Sequence, residues 1–487
     1  MQSKILLYVI SLISFFSCQL LKQQKTYLKT NLKKAVEYSN NIKAAELNKH
    51  LLVLASDEFE GRETTFPGQK KAAKYIKKHF INSNISPAID SNYYQQFNVD
   101  VSNFLNVEFE TINKDFKIIE EYYSFGNPIN STIKEVLIVD VGYGIVNKER
   151  NDYYNIDVNN KIVAIKRGLP EGSNFLEKEG NWRRKLKSAK EQGALAVIFK
   201  EPNYKNTDSR IKQYLKNPVM KMHGNQRAKP HLPVFVMNQT IVDSLIINKI
   251  PSSFSTNVSE IKTAENVLGF IPGKSDEIIV LSAHYDHIGY DKGEICNGAD
   301  DDGSGTSALL EIAKTFQKAY DSGEKPQRGI LFLSVSGEEK GLFGSQFYTD
   351  HPVFPLSKTT TNLNIDMVGR QDTVQENNNY IYLIGADRIS NELHEISEKI
   401  NDQYINFKLD YTYNDKEDPN RFYERSDHYN FAKNNIPVIF YFGGLHEDYH
   451  KSTDDVEKID FLKLEKVSRY VFLTAWELAY RKKAVQK

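Results

Sequence analysis

The segment from Ile278 to Gly305 constrains the fold of this chain more than any other part of its sequence. Ile278–Ala283 is a short, almost wholly apolar run, as a strand in the middle of a sheet requires. Polar residues follow, and a glycine-containing turn then leads into a helical pattern over Thr306–Tyr320. A strand, a polar loop and a helix N-terminus together form the place where open α/β sheets bind ligands.

The polar loop brings imidazole and carboxylate side chains close together in sequence. His284, Asp286 and His287 follow the strand, and Asp300–Asp302 precede the glycine turn. Imidazole and carboxylate groups are the ligands of a zinc-like cation. The sequence therefore predicts a metal site at the end of this strand.

From Thr263 to the C-terminus, apolar runs alternate with helical patterns. Such alternation predicts an α/β fold with a mostly parallel central sheet flanked by helices. The predicted strands are Ile278–Ala283, Gly329–Val335, Leu363–Met367, Tyr380–Ile384 and Pro437–Phe442, and the predicted helices are Thr306–Tyr320, Asn391–Asn401 and Phe461–Arg481.

The chain has 487 residues, which is too long for one compact core and favours two domains. Residues 116–257 differ from the rest, because they offer short β-like runs and one helix candidate, Trp182–Gln192, without a carboxylate cluster. We predict that they form a smaller β-rich domain. It would interrupt a larger domain made of residues 43–115 and 258–487.

The N-terminus indicates export. Lys4 precedes the apolar run Ile5–Phe16, which is long enough for a signal peptide but too short to span a bilayer. Cys18 then stands where a bacterial lipoprotein is cleaved and lipidated; an ordinary signal peptide is the alternative. We expect residues 1–18 to be the signal, residues 19–42 to be a tether, and the protein to be periplasmic, anchored to the outer membrane, or extracellular.

The bulk charge argues against one class of partner. The chain has 63 basic and 63 acidic residues, so its net charge gives no reason to expect nucleic-acid binding.

Polar residues also follow the other predicted strands. Glu338 and Glu339 come after the strand ending at Val335, Asp366 lies inside the apolar run NLNIDMVG, and His450 follows the run IPVIFYF. A carboxylate within an apolar strand is costly unless it is paired or bound to a metal. Because parallel strands end at one edge of a sheet, these groups are expected to converge with His284.

Five motifs in order, HYDH, GADDDGSG, SGEEKGLFGS, NIDMVG and YHKSTDD, resemble the ligand blocks of the di-zinc aminopeptidases of metallopeptidase family 28. LASDEFEGRETTFPGQKKAAKYI resembles the family's N-terminal block. GYGI, DVNNKIVAIKRG and SAKEQGALAVIF resemble the protease-associated domain inserted in several exopeptidases.

The resemblance implies a ligand set. Two zinc ions would be bridged by Asp301, one held also by His284 and Asp366, the other by Glu339 and His450. Glu338 would be the general base, and Asp286 would hold the imidazole of His284. A cis peptide bond would join Asp301 and Asp302. His287 is expected beside the site without binding metal, with a role as a metal ligand as the alternative.

The chemistry expected of such a site is peptide hydrolysis. Zinc lowers the pKa of a bound water toward ~7, and a neighbouring carboxylate takes its proton and passes it to the leaving amine. We therefore expect an aminopeptidase that acts on peptide or protein N-termini. Tyr423, Arg425 and His428 lie in a segment that resembles the family's substrate-facing loop, with an ordinary surface loop as the alternative.

Three rival functions share this fold. A carboxypeptidase would need arginines that bind a substrate carboxylate, for which Arg425 and Arg370 are candidates. A glutaminyl cyclase would carry a different pattern where this chain has GADDDGSG. A non-catalytic binding protein, as in transferrin receptors, would have lost the ligands, all of which are present here.

Overall fold

The computed structural model describes residues 32–126, 130–204, 217–224, 232–256 and 259–487, together with residues 211 and 215. The chain divides into two compact units: unit 1 comprises the described residues up to Phe97 and Thr263–Lys487, and unit 2 comprises Asn98–Lys262. Residues 1–31, with the predicted signal segment and Cys18, lie outside the described residues. Within the described ranges, no helix is both long and apolar enough to cross a membrane.

Unit 1 is built on a large mixed sheet. Its strands in chain order are β1 (Ser86–Pro87), β2 (Tyr94–Ser102, which continues into unit 2), β3 (Ser259–Ile271), β4 (Ile278–His284), β5 (Gly329–Val335), β6 (Thr359–Asp366), β7 (Tyr380–Ile384), β8 (Lys408–Asp410) and β9 (Val438–Phe442). They lie in the order β2-β3-β5-β4-β6-β9-β7-β8, and β1 pairs with β3.

The centre of this sheet is parallel, as predicted. β4 pairs in parallel with both β5 and β6, and β6 pairs in parallel with β9. Antiparallel strands flank that centre, since β3 runs opposite to β5 and β7 opposite to β9. All five predicted strands are present, whereas the long strand β3 was not predicted, because its first half is polar and exposed.

Helices cover both faces of the sheet. They are α1 (residues 32–39), α2 (Ala44–Leu54), α3 (Pro67–Asn82), α4 (Gly305–Asp321), α5 (Phe343–Asp350), α6 (Asn391–Ile400), α7 (His428–Ala432) and α8 (Phe461–Tyr480). Alternate residues of β4 point to opposite faces: Ile279 and Leu281 pack with α2, α3, α4 and α8, while Ile278 and Val280 pack with α5 and α7. A strand buried on both faces must be apolar throughout, which explains the uninterrupted run in the sequence.

The predicted tether is wrong over residues 32–42. Helix α1 occupies residues 32–39, and the side chains of Leu32, Ala35 and Ile42 are buried in the core of unit 1. Tyr38 stacks on Trp476 of α8 with ring centroids 5.6 Å apart. The lysine-rich composition concealed an amphipathic helix with one apolar face.

Unit 2 contains two small sheets. The first has the strand order Tyr122–Ser124, Val234–Asn238, Ala196–Glu201, Ile162–Lys166 and Ile138–Asp140, and the second the order Lys114–Asp115, Val107–Thr111, Ser252–Thr256 and Ser131–Val136. Helices Trp182–Glu191 and Gln239–Ile247 belong to this unit, and Val219–Met222 pairs with the end of β2. Strands Tyr94–Ser102 and Val107–Thr111 are separated by a turn in which the Asn103 side chain accepts a hydrogen bond from the main-chain N–H of Leu105.

Candidate metal centre

The ends of the parallel strands gather the predicted ligands. His284 is the last residue of β4 and Asp366 the last residue of β6, while Glu338 and Glu339 follow β5. Asp301 comes from the turn before α4, and His450 from the loop after β9. The side chains come together because the strands that carry them run in the same direction.

The first group of candidate ligands surrounds His284. Its Nε2 atom lies 3.3 Å from Asp301 Oδ1 and 3.6 Å from Asp366 Oδ1. All three side chains are buried, and their ligand atoms lie within 4.8 Å of one another. Ligand atoms at this spacing can hold one cation between one imidazole and two carboxylates.

The second group uses the other oxygen of Asp301. Asp301 Oδ2 lies 3.2 Å from His450 Nε2 and 3.8 Å from His287 Nδ1. The two oxygens of Glu339 face the same imidazoles, at 3.0 Å from His450 Nε2 and 2.9 Å from His287 Nδ1. Asp301 therefore presents one oxygen to each group, as a bridging carboxylate does.

His287 is the main surprise of this geometry. The sequence placed it beside the site, whereas the structure puts it among the ligand atoms of the second group, fully buried. The sequence shows that His287 follows strand β4. It does not show the direction in which the imidazole ring points.

The polar atoms of the second group fit a cation. The second group includes five buried atoms that have no partner in hydrogen-bonding geometry: His287 Nδ1 and Nε2, Asp301 Oδ2, Glu339 Oε1 and His450 Nε2. All of them except His287 Nε2 face an imidazole or a carboxylate of the group. Leaving such groups unpaired costs about 1–3 kcal/mol each. A divalent ion would satisfy several of them at once, and imidazole with carboxylate is a donor set suited to zinc.

The electrostatics of the cluster also favour a cation. Burial acts to lower the pKa of His450, but Asp301 and Glu339 outweigh it and raise that pKa to about 10. Burial acts to raise the pKa of Glu339, yet His287 and His450 outweigh it and lower that pKa to about 2. Carboxylates concentrated in a buried site bind positive charge, either as protons on imidazoles or as metal ions.

Arg62 holds the main chain around Asp301. Its buried guanidinium donates to the carbonyl oxygens of Tyr285 (2.7 Å), Leu54 (2.7 Å), Asn297 (2.5 Å) and Gly298 (2.9 Å). Burial lowers the pKa of Arg62, whereas nearby carboxylates, Asp301 first among them, act to raise it. We infer that Arg62 both fixes the loop and offsets part of its negative charge.

Asp286 acts differently from the expectation. The hydrogen bond to His284 Nδ1 involves the main-chain oxygen of Asp286 at 3.1 Å, and the nearest carboxylate oxygen is 3.8 Å away. That carboxylate instead accepts from Thr64 Oγ1 at 2.8 Å and from the main-chain N–H of Glu338 at 3.3 Å. Asp286 thus orients His284 through its backbone and the candidate base through its side chain.

Glu338 has the environment that a proton carrier needs. Burial, together with the negative charges of Glu339 and Asp366, raises its pKa well above its usual value, although His284 opposes this. Its Oε2 atom lies 3.9 Å from His284 Nε2, and its side chain lines the cavity at the site. A carboxylate poised in this way can accept a proton and give it back.

Three further residues position the ligands, and the sequence reasoning missed them. Asp454 accepts hydrogen bonds from the main-chain N–H groups of Asp300 and Asp301, and Ser426 Oγ donates to Asp366 at 2.6 Å. His446 Nε2 faces Asp300 at 3.3 Å. Asp454 lies within the last motif, which was its only sequence signal. The peptide bond between Asp301 and Asp302 is cis, as the resemblance implied.

A cavity opens on the first group. Carboxylates and His284 line its inner end, and its walls are largely apolar; the lining residues are His284, Asp301, Glu338, Asp366, Met367, Phe422, Arg425, Phe440, Phe442, Leu445 and Tyr449. Of the three residues predicted to face substrate, Arg425 lies in this lining. Tyr423 and His428 lie outside it, because the buried His428 ring stacks beneath Phe440 at 4.7 Å and Tyr423 packs against His428.

Comparison with known proteins shows what the chain is similar to. The model of Peptidase family M28 matches residues 266–475, which include every candidate ligand named above. Over this part of its length the chain is similar to peptidase family M28. Aminopeptidase YwaD of Bacillus subtilis, a curated relative, is 26% identical over 342 residues, 68% of this chain and 65% of that protein. A probable leucine aminopeptidase of Arthroderma otae is 30% identical over 241 residues, 48% of this chain and 63% of the relative.

The chain therefore spans less than two thirds of the length of these two relatives. Among solved structures, an aminopeptidase from Aneurinibacillus sp. strain AM-1 has a TM-score of 0.55 at 20% identity, covering 93% of this chain and 98% of that one. A zinc aminopeptidase from Bacillus subtilis has a TM-score of 0.51 at 20% identity, covering 92% and 98%. These likenesses confirm the predicted α/β fold with its large central sheet.

Proposed function

We propose that this protein is an exported zinc metallopeptidase that removes N-terminal residues from peptides. The observation that carries the proposal is the pair of ligand groups sharing Asp301, with unpartnered buried nitrogen and oxygen atoms between them. The match of residues 266–475 to Peptidase family M28 and the similarity to aminopeptidases support the reaction class. We assign one zinc ion to His284, Asp301 and Asp366, and a second to Asp301, Glu339 and His450, with His287 facing the second.

The chain's own residues would conduct the proton transfers. Bound zinc supplies an acidified water and polarises the scissile carbonyl. Glu338 takes the proton of the attacking water and returns it to the leaving amine, for which its raised pKa suits it. Asp286 holds the Glu338 main chain, and Arg62 and Asp454 hold the loop of Asp301.

The cavity favours an apolar N-terminal residue. Met367, Phe440, Phe442 and Leu445 form an apolar wall beside the carboxylates. Burial of a leucine-sized side chain against such a wall contributes about 1.5–3 kcal/mol. We infer a preference for leucine-like over small N-terminal residues.

The cellular setting follows from the sequence. The predicted signal at residues 1–18 supports export, and Cys18 supports a lipid anchor, so the protein would act in the periplasm, at the outer membrane or outside the cell. The predicted insert, residues 116–257, falls within unit 2 (Asn98–Lys262), which would be the protease-associated-like domain. Peptides are the expected partners.

A substrate panel separates this proposal from its rivals. Purified protein is incubated with leucyl-anilide, N-acetylated peptides with free C-termini, and peptides with N-terminal glutamine. Release of the N-terminal residue alone supports the aminopeptidase. Release of C-terminal residues from blocked peptides would indicate a carboxypeptidase, and pyroglutamate formation would indicate a cyclase.

A further inference from the structure

The charge of the catalytic cavity is uneven. Asp301, Glu338 and Asp366 contribute carboxylates to its lining. Of the described residues in that lining, Arg425 alone contributes a guanidinium or ammonium group. The zinc ions would neutralise the inner carboxylates, which leaves the arginine as a separate positive group in the cavity.

Arg425 is free to bind an anion. Its neighbour Glu424 pairs with Arg421 instead, and within the part of the chain that the structure describes no carboxylate pairs with Arg425. Arg370, the other arginine considered from the sequence, already contacts Asp448 at 2.9 Å. Arg425 thus keeps the planar fork of donors that recognises a carboxylate.

Contacts with the cavity wall orient the Arg425 side chain. Its guanidinium lies 4.7 Å from the centre of the Phe422 ring, and Nη2 lies 3.4 Å from the hydroxyl of Tyr449. The Tyr449 ring stacks on His450 with centroids 3.9 Å apart. One aromatic side chain therefore separates Arg425 from a candidate metal ligand.

We propose that Arg425 binds a carboxylate of the substrate and so selects peptides that present one close to the scissile bond. Two sources supply this chemistry: the C-terminus of a dipeptide, or the side chain of an acidic N-terminal residue. The inference rests on the proposed function, since the cavity must hold a peptide. It adds the chemical class of peptide that the site prefers.

Matched substrate pairs test the inference. Leucyl-glycine against leucyl-glycinamide isolates the terminal carboxylate, and glutamyl- against glutaminyl-para-nitroanilide isolates the side-chain carboxylate. The zinc-loaded enzyme, Arg425→Gln, Arg425→Lys and the nearby surface control Arg421→Gln are compared by kcat/KM. An exposed ion pair raises kcat/KM by up to about fivefold. In one of the two pairs, we therefore expect the charged substrate to have a kcat/KM higher by up to that factor than its uncharged partner.

The expected result is that Arg425→Gln abolishes the preference, because kcat/KM falls for the charged member of each selected pair more than for the uncharged member. Arg425→Lys keeps part of it, and Arg421→Gln leaves it intact. Equal preferences in wild type and Arg425→Gln, or an equal loss in Arg421→Gln, would overturn the inference while leaving the peptidase in place. If the wild type cleaves none of the four substrates, the proposed function itself is refuted.

Discussion

Replacing Arg62 with methionine removes a buried cation at the point where the N-terminal segment meets the Asp301 loop. Four main-chain carbonyls accept from its guanidinium at 2.5–2.9 Å. Hydrogen bonds from a charged donor are worth about 1.5–3 kcal/mol each, but releasing the guanidinium from the interior recovers much of that sum. We expect a net loss of about 3–5 kcal/mol in the stability of unit 1.

Tryptophan fluorescence measures the free energy of unfolding of unit 1. There are two tryptophans, and Trp476 is fully buried in α8 of unit 1, whereas Trp182 belongs to unit 2. In a Trp182→Phe background, fluorescence during urea unfolding follows unit 1. Chelator is present throughout, so that metal binding does not contribute to stability.

Two control variants sharpen this prediction. Arg421→Met removes an exposed arginine and should cost at most about 1 kcal/mol. Arg62→Lys keeps the charge but not the fork of donors, so its stability should lie between wild type and Arg62→Met. An Arg62→Met protein within about 1 kcal/mol of its background would refute the role given to this guanidinium.

Three further outcomes are expected. Zinc binding at pH 7 should release protons and tighten as the pH rises, because Asp301 and Glu339 raise the His450 pKa to about 10 despite burial. Calorimetry in buffers of different ionisation enthalpy measures the released protons. Binding heats that do not depend on the buffer would contradict the prediction. His287→Ala should lower the affinity for the second zinc ion about 10-fold or more, as measured by chelator competition. The exposed control His351→Ala should leave that affinity unchanged. Equal affinities in wild type and His287→Ala would exclude His287 from the site. Leu445→Ala should lower kcat/KM for leucyl-anilide about 10-fold while sparing alanyl-anilide; equal losses on both substrates would argue against the apolar pocket.

The sequence predicted the parts of this molecule that depend on local pattern. The buried strand Ile278–His284 is apolar on both faces and the motif residues follow it directly, so both the strand and its ligands could be identified. The helices predicted at Thr306–Tyr320 and Phe461–Arg481 are present as Gly305–Asp321 and Phe461–Tyr480. In each case the physical cause lies within a few residues of the signal.

Properties that depend on distant contacts could not be predicted. Helix α1 packs through Tyr38 and Trp476, which lie more than four hundred residues apart in the chain. The position of His287 depends on its ring orientation, and the role of Arg62 depends on carbonyl oxygens brought together by folding. Spacing shows that a charged residue is present. It does not show what that residue contacts.

The most direct test of the account compares zinc content and leucyl-anilide hydrolysis in wild type and Glu338→Gln. Glu395→Gln, an exposed change on α6, is the matched control. The account predicts two zinc ions per chain in all three proteins, with kcat about 10²–10⁴-fold lower in Glu338→Gln alone. Undiminished hydrolysis by Glu338→Gln would contradict its role as the base, and a wild-type protein that binds no zinc would contradict the metal centre.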